Sequence, residues 1–287
     1  SHNHLAIVKE LFEADGRILK ISQKKGNIVV VGDLHNDLKI LNLVLERLFY
    51  PHPDNLMLFL GDYVDRTPES IKDNKSAVVD KLLLLKQQNP KRIFMLLGNH
   101  DLDPEQYVGF HSSFWNEQAE DRQDFYREIL SAMPIVAVTA NGVAMCHGIL
   151  PHMKDFQRFD LTTRLWRDVL WSDYYEDGQQ RAYSTRGSKS KNDFIDAMDS
   201  FGARVLIKGH NPNAPLTMFD NKCITLQTNR HYIQRCGIHI AVIKLQNKIN
   251  DSNDTKILDI EDIIKYDSNK YILAELKSSF FRNGKTH

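Results

Sequence analysis

Ile28-Val29-Val30-Val31-Gly32-Asp33-Leu34-His35 is the stretch on which the reading of this chain turns. Four β-branched residues in a row suit a strand buried on both faces. The run stops at a glycine and then delivers a carboxylate and an imidazole two residues apart. Just beyond, Leu38-x-Ile40-Leu41-x-Leu43-Val44-Leu45-x-x-Leu48 has helical spacing, and Pro51 and Pro53 end it. A buried strand, a polar corner and an amphipathic helix predict one unit of a parallel α/β sheet, with ligands held at the strand's C-terminal end.

The same arrangement recurs. Leu56–Leu60 leads into Gly61-Asp62-Tyr63-Val64-Asp65-Arg66, and Ile93–Leu97 into Gly98-Asn99-His100-Asp101. Val143–Cys146 leads into His147-Gly148, and Val205–Ile207 into Lys208-Gly209-His210-Asn211. One such corner means little, because an aspartate before a helix is usually a cap. Five corners rich in oxygen and nitrogen donors predict a site for hard or borderline divalent cations, with room for two.

Ser76–Gln88 reads as a second helix, and residues 103–133 read as helical. The aromatics Phe110, Phe114, Trp115, Phe125 and Tyr126 in that stretch are expected to be packing residues. Asn141-Gly142 between Ile135–Thr139 and Val143–Cys146 marks a hairpin. Val205–Ile207, Ala214–Phe219, Cys223–Gln227 and His239–Leu245 are expected to continue as strands of a second sheet, packed face to face with the first and with helices outside. The domain is expected to span 1–246. Residues 247–287 read as a polar linker, Asn247–Thr255, followed by a C-terminal extension packed on or near the domain, with short amphipathic segments at Ile257–Tyr266 and Tyr271–Phe281.

Composition narrows the function. In 287 residues, Lys+Arg and Asp+Glu both count 37, so nothing favours nucleic acid or an anionic membrane as the main partner. No apolar run approaches the ~20 residues of a membrane span. Cys146, Cys223 and Cys236 are odd in number and far apart, which argues against a disulfide framework and favours a reducing compartment. Ser1-His2 reads as a tag remnant, so the native N-terminus is expected to lie outside this chain.

The corners also carry a resemblance. Gly32-Asp33-Leu34-His35-Asn36, Gly61-Asp62-Tyr63-Val64-Asp65-Arg66-Thr67, Gly98-Asn99-His100-Asp101 and His147-Gly148-Ile149 resemble the GDxHG, GDxVDRG, GNHE and HGG motifs of the PPP family of metal-dependent phosphoprotein phosphatases. Leu170-Trp171-Ser172-Asp173, Ser184-Thr185-Arg186-Gly187 and Ile224-Thr225-Leu226 extend the similarity, in order, from about residue 17 to 245. The resemblance implies an α/β, metallophosphoesterase-like two-sheet β-sandwich flanked by helices.

It also implies roles. Asp33 and His35 resemble ligands of a first metal, and Asp62 resembles the bridging carboxylate. Asn99, His147 and His210 resemble ligands of a second metal, with the order of the two late histidines left open. Asn99 also borders the substrate. His100 resembles the general acid and Asp65 the residue that holds its ring. Arg66 and Arg186 resemble the phosphate clamp, and Tyr232 a residue lining the cleft. Two divalent ions are implied; Mn²⁺ is expected, and Fe or Zn fits the same donors.

The chemistry agrees. Two cations about 3.5–4 Å apart can bind phosphate oxygens and deprotonate a bridging water for in-line attack. Planar guanidinium groups suit the phosphate. A histidine beside a metal ligand can protonate the leaving oxygen, and a neighbouring carboxylate favours its charged form.

Several positions depart from the motifs. Asn36 and Thr67 replace glycines, Asp101 a glutamate, and Ile149-Leu150-Pro151 a Gly-Leu-Ser-like run. Thr228-Asn229-Arg230-His231-Tyr232-Ile233 lacks the usual Pro-Asn-Tyr-Cys. Such departures suit a divergent, bacterial or effector-type enzyme, with the cytoplasm (or a host cytosol) as its expected compartment. The expected substrate is phosphoserine or phosphothreonine in a protein, and no regulatory partner is legible. Phosphotyrosine or a dinucleoside polyphosphate is the rival substrate class, and a catalytically dead binding module the rival from another class.

Overall fold

The computed structural model describes residues 2–104, 112–176 and 186–265. Two sheets dominate it. The first has the order β1 (Ile18–Ile21), β5 (Val136–Thr139), β6 (Val143–Cys146), β9 (Val205–Lys208), β11 (Cys223–Thr225) and β10 (Thr217–Met218). The second runs β13 (Lys256–Asp259), β12 (His239–Lys244), β2 (Asn27–Val31), β3 (Asn55–Phe59) and β4 (Ile93–Met95). A short parallel pair, β7 (Asp173–Tyr174) with β8 (Ser188–Lys189), follows the two sides of the Arg186 segment. Strands β2, β3 and β4 are parallel, as the strand–helix alternation requires. The Asn141-Gly142 turn joins β5 and β6 as an antiparallel pair, with Val136 opposite Cys146.

Each strand of the second sheet divides its side chains between two cores. Ile28, Val30, Leu56 and Leu58 share a buried cluster with Ala137, Met145, Val205, Ile207 and Ile224 of the first sheet. Val29, Val31, Met57 and Phe59 turn the other way, onto helices α2 (Leu38–Leu48) and α3 (Ala77–Gln88). Burial on both faces is why these strands read as unbroken apolar runs.

Asp37 caps α2 by accepting from the Ile40 N–H, and helix α1 (His2–Asp15) is tied to α3 by the buried Lys86 ammonium, 2.6 Å from Asp15. The stretch read as helical over 103–133 forms helices at Ser113–Glu117 and Glu120–Leu130, with residues 105–111, Phe110 included, outside the described residues. Phe114, Trp115 and Tyr126 are buried packing residues.

Some sequence expectations are corrected. His239–Lys244 does not continue the second group of strands; it pairs antiparallel with β2, Ile240 opposite Val31. Its apolar pattern suits either sheet, and only the return of the chain from Gln227, whose carbonyl accepts from the His239 N–H at 2.9 Å, decides the partner. The strand expected over Ala214–Phe219 shortens to Thr217–Met218, and β1, with only four residues, is an addition to the expected strands. Residues 247–265 build onto the second sheet. β13 pairs with β12, and Ile263 and Ile264 of the closing helix Ile260–Lys265 join the α2 core. The Tyr271–Phe281 segment lies outside the described residues. All three cysteines are free thiols, Cys146 and Cys223 buried.

Candidate active site

The strand ends of both sheets meet at one place. Asp33 and Gln227 form a parallel bridge between them, and the Gln227 amide donates to Asp33 Oδ2 at 2.9 Å. The chain reverses sharply here. His35, Asn36, Asp62, Asp65, Arg66 and His210 all have φ between 44° and 74°, a left-handed backbone that costs a non-glycine residue energy. Glycine is needed where the turns touch. A Cβ on Gly98 would stand 2.2 Å from the Asp62 nitrogen, and one on Gly209 would stand 2.2 Å from Asp33 Oδ1.

The side chains aimed into this junction form two groups. Asp33, His35 and Asp62 present ligand atoms within 4.8 Å of one another, and so do Asp62, His147 and His210. Asp62 belongs to both: its Oδ2 lies 3.7 Å from His35 Nε2, and its Oδ1 lies 3.4 Å from His147 Nε2. Asn99 Oδ1 sits 2.8 Å from both His147 Nε2 and His210 Nδ1.

Each imidazole is oriented by its other nitrogen. His35 Nδ1–H donates to the Val64 carbonyl, His147 Nδ1–H to Leu60 and His210 Nε2–H to Trp171, at 3.0, 3.0 and 3.2 Å. The nitrogens left over carry lone pairs into the site.

This donor set fits cations. Burial is the main cause that pushes the imidazoles of His35, His147 and His210 below their usual range, so they are neutral. Burial also pushes the carboxyls of Asp62 and Asp101 up to about 7, which is the mark of negative charge that the protein alone leaves uncompensated. Asn99 Nδ2 is buried with no partner among the described residues, consistent with the amide being turned to present its oxygen. Convergent lone pairs, buried carboxylates and no thiolate suit Mn, Fe or Zn.

Beside the groups stands a hydrogen-bonded pair. His100 Nδ1–H donates to Asp65 Oδ2 at 2.7 Å, and the His100 backbone N–H donates to Asp62 Oδ1 at 2.9 Å. The other Asp65 oxygen accepts from Ser112 Oγ and the Phe114 N–H, at the start of a helix. Burial alone would raise this carboxyl. Its bond to His100, the imidazole charge and the helix-end donors outweigh burial and hold it below the usual range.

The arginines flank the site from opposite ends. Arg66 reaches His35 Nε2 and His100 Nε2 at 2.6 and 3.2 Å, and Arg186 borders Asp173 at 3.7 Å, on the His210 side. The Tyr232 ring lies 6.0 Å from His35 and under the Arg66 guanidinium at 5.3 Å.

Residues 26–232 match the calcineurin-like phosphoesterase family. The chain belongs to that family. This phosphoesterase is 26% identical over 258 residues to a Dictyostelium discoideum protein named as a catalytic subunit of protein phosphatase 2A, a match covering 84% of this chain and 80% of that one. It is 28% identical over 244 residues to the Candida albicans serine/threonine-protein phosphatase PP2A-like PPG1, covering 79% of this chain and 57% of the relative. A Saccharomyces cerevisiae serine/threonine phosphatase with similarity to human PP5 shares the fold, with a TM-score of 0.71 at 19% identity and coverage of 90% of this chain and 88% of that chain.

Every site residue of the sequence reading is brought to this junction of the phosphoesterase fold. Ser184 and Thr185 of the motif around Arg186 lie outside the described residues. Three supporting residues escape a reading of the sequence. Asp101, which there is only a departure from a motif, accepts from the backbone N–H groups of Asp62, Tyr63 and Gly98 at 2.8, 2.8 and 2.9 Å, and so holds the loop that carries the shared carboxylate. Ser112 fixes Asp65 and Gln227 fixes Asp33; neither carries a local sequence signal.

Three other departures, Asn36, Thr67 and Arg230, hold the rim. Asn36 Nδ2 donates to Thr67 Oγ1 at 3.0 Å and to the Asn74 carbonyl at 2.8 Å, while its oxygen accepts from the Val78 N–H. The two residues standing in place of glycines thus bond to each other. Next to them, Asp37 takes the Arg230 guanidinium and backbone N–H, which pins the Tyr232 loop.

Proposed function

We propose that this phosphoesterase is a metal-dependent protein phosphatase that hydrolyses phosphoserine and phosphothreonine. One observation carries the reading: two ligand groups share the Asp62 carboxylate, and the His100–Asp65 pair stands against them. The relatives named as serine/threonine phosphatases support the substrate class. Asp33, His35 and Asp62 would hold one cation, and Asp62, Asn99, His147 and His210 the other. When bound, the cations supply the charge that activates water and neutralises the phosphoryl oxygens.

The chain's own residues do the rest. Arg66 and Arg186, at opposite ends of the site, bind the equatorial oxygens and set the phosphorus for in-line displacement. His100 protonates the departing serine or threonine oxygen from Nε2 as the P–O bond breaks, and Asp65 holds the ring through Nδ1. Tyr232 walls the cleft beside Arg66. Free thiols at Cys146, Cys223 and Cys236 support a reducing compartment such as the cytoplasm.

Phosphoserine, phosphothreonine and phosphotyrosine peptides and a dinucleoside tetraphosphate, each assayed with Mn²⁺ and with a chelator, test this reading. Chelator-sensitive turnover greatest on the first two is expected. A preference for phosphotyrosine or the dinucleotide would replace the substrate class, and no turnover even of an aryl phosphate would end the enzymatic reading.

A further inference from the structure

Beyond the Tyr232 ring lies a recess of about 480 Å³, lined by Asn211, Leu216, Thr225, Gln227, Arg235 and Cys236 among others. It adjoins the metal groups through two of these residues: Asn211 follows His210 in the chain, and Gln227 donates to Asp33. Among its lining residues Arg235 carries the only formal charge. Burial pushes the Cys236 thiol up to about 11, so it stays uncharged.

Arg235 differs from Arg230 and Arg186. Arg230 is locked onto Asp37 and Arg186 borders Asp173, whereas no described carboxylate pairs with the exposed Arg235. Its guanidinium lies 5.8 Å from the Tyr232 ring centroid, and that of Arg66 lies 5.3 Å from the same centroid. A second polar group waits in the recess wall. Thr225 is 6% exposed, and its hydroxyl has no hydrogen-bond partner among the described residues. A buried hydroxyl without a partner is costly unless a ligand satisfies it.

We propose that Arg235 and the recess behind it form a substrate subsite that takes a carboxylate side chain of the phosphoprotein. The proposal rests on the phosphatase reading and names the substrates that reading leaves open. Arg235 binds the carboxylate, the Thr225 hydroxyl donates to it, and Leu216 and the adjoining prolines receive the methylenes of a glutamate. The two distances to the Tyr232 ring cap the separation of the Arg66 and Arg235 guanidiniums at about 11 Å, a span that about three extended residues cover. The favoured substrate therefore carries an acidic residue within about three positions of the phosphorylated one.

The test compares phosphothreonine peptides identical except for Glu, Gln or Lys, placed in turn at each of the three positions on either side. Wild type and Arg235→Glu are assayed with Mn²⁺. At one or more positions wild type is expected to favour Glu over Gln by about 5-fold in kcat/KM, carried by KM, the scale of one charge-assisted hydrogen bond at a partly exposed site. Arg235→Glu should invert the order of Glu and Lys there, and Thr225→Val should narrow the Glu preference. Equal rates for the three peptides at every position, or the same order in Arg235→Glu, would overturn the proposal. Aryl phosphate hydrolysis by the same preparation keeps the two readings apart. Its absence removes the phosphatase reading and the subsite with it, whereas peptide turnover without charge preference removes the subsite alone.

Discussion

The ligand cradle and the rim around it are built in different ways. Asp33, His35, Asp62, Asn99, His147 and His210 are buried, and the backbone orients them: tight left-handed turns, glycine contacts, and carbonyls that fix each imidazole. The rim is held by side chains that meet across the fold, Asn36 with Thr67 and Asp37 with Arg230. Several of the rim residues are those that depart from the motifs. The difference teaches where this fold can vary. Changing a cradle residue disturbs the chemistry itself, whereas a rim pair can be exchanged for another pair that holds the same loop.

Substitutions can break or sharpen that contrast. The largest effect is expected from Asp62→Asn, which removes the carboxylate that both ligand groups share: turnover should vanish and elemental analysis should find metal lost. Two ions still bound would break the cradle picture. His100→Asn should keep both ions yet slow turnover by about 10²–10⁴-fold, the usual contribution of general acid catalysis. Near-normal rates would reject His100 as the acid. Asp101→Asn turns an amide toward backbone donors that Asp101 now accepts, and should weaken metal affinity by about 10–100-fold, as lost outer-shell support does. Titration of the metal-free protein with Mn²⁺ measures this.

On the rim, Arg230→Ala leaves Asp37 buried without its cation and should cost about 3 kcal/mol of stability, read from the denaturant midpoint, with bound metal unchanged. Metal loss in that variant would erase the distinction between cradle and rim.

The smallest effect concerns pH. Folding raises Asp62 and Asp101 from 3.8 to about 7, mainly by burial, so between those values these two groups bind more protons in the folded chain than in the unfolded one. Below 6.5 the buried neutral His35, His147 and His210 act the opposite way, because the unfolded chain protonates them. Stability of the metal-free protein should therefore fall only as pH rises from 6.5 through about 7. Mn²⁺ should flatten the profile, because a cation takes the place of the proton. Melting temperatures at pH 5 to 8, with chelator and with metal, would show whether the cradle's charge behaves this way.

Legibility in the sequence followed the same division. Ile28–Val31 and Leu56–Leu60 announced strands because both faces are covered, and the donors after them announced a site because a chain leaving such a strand turns at once. His239–Lys244 was legible as a strand but not as a member of one sheet, since an apolar pattern says which residues are buried and not against what. Asn36 and Thr67 looked like two separate departures until the fold set them 3.0 Å apart.

The sequence by itself determined the donor types, their positions at the ends of buried runs, and with them the family, because strand burial and ligand chemistry are local properties of a few adjacent residues. Tertiary structure alone decided that Asp62 faces both ligand groups, that Asp101, Ser112 and Gln227 hold the residues that matter, and that no described carboxylate pairs with Arg235 beside its recess. Those facts depend on distances between residues far apart in the chain, which only the packing of two sheets against each other sets.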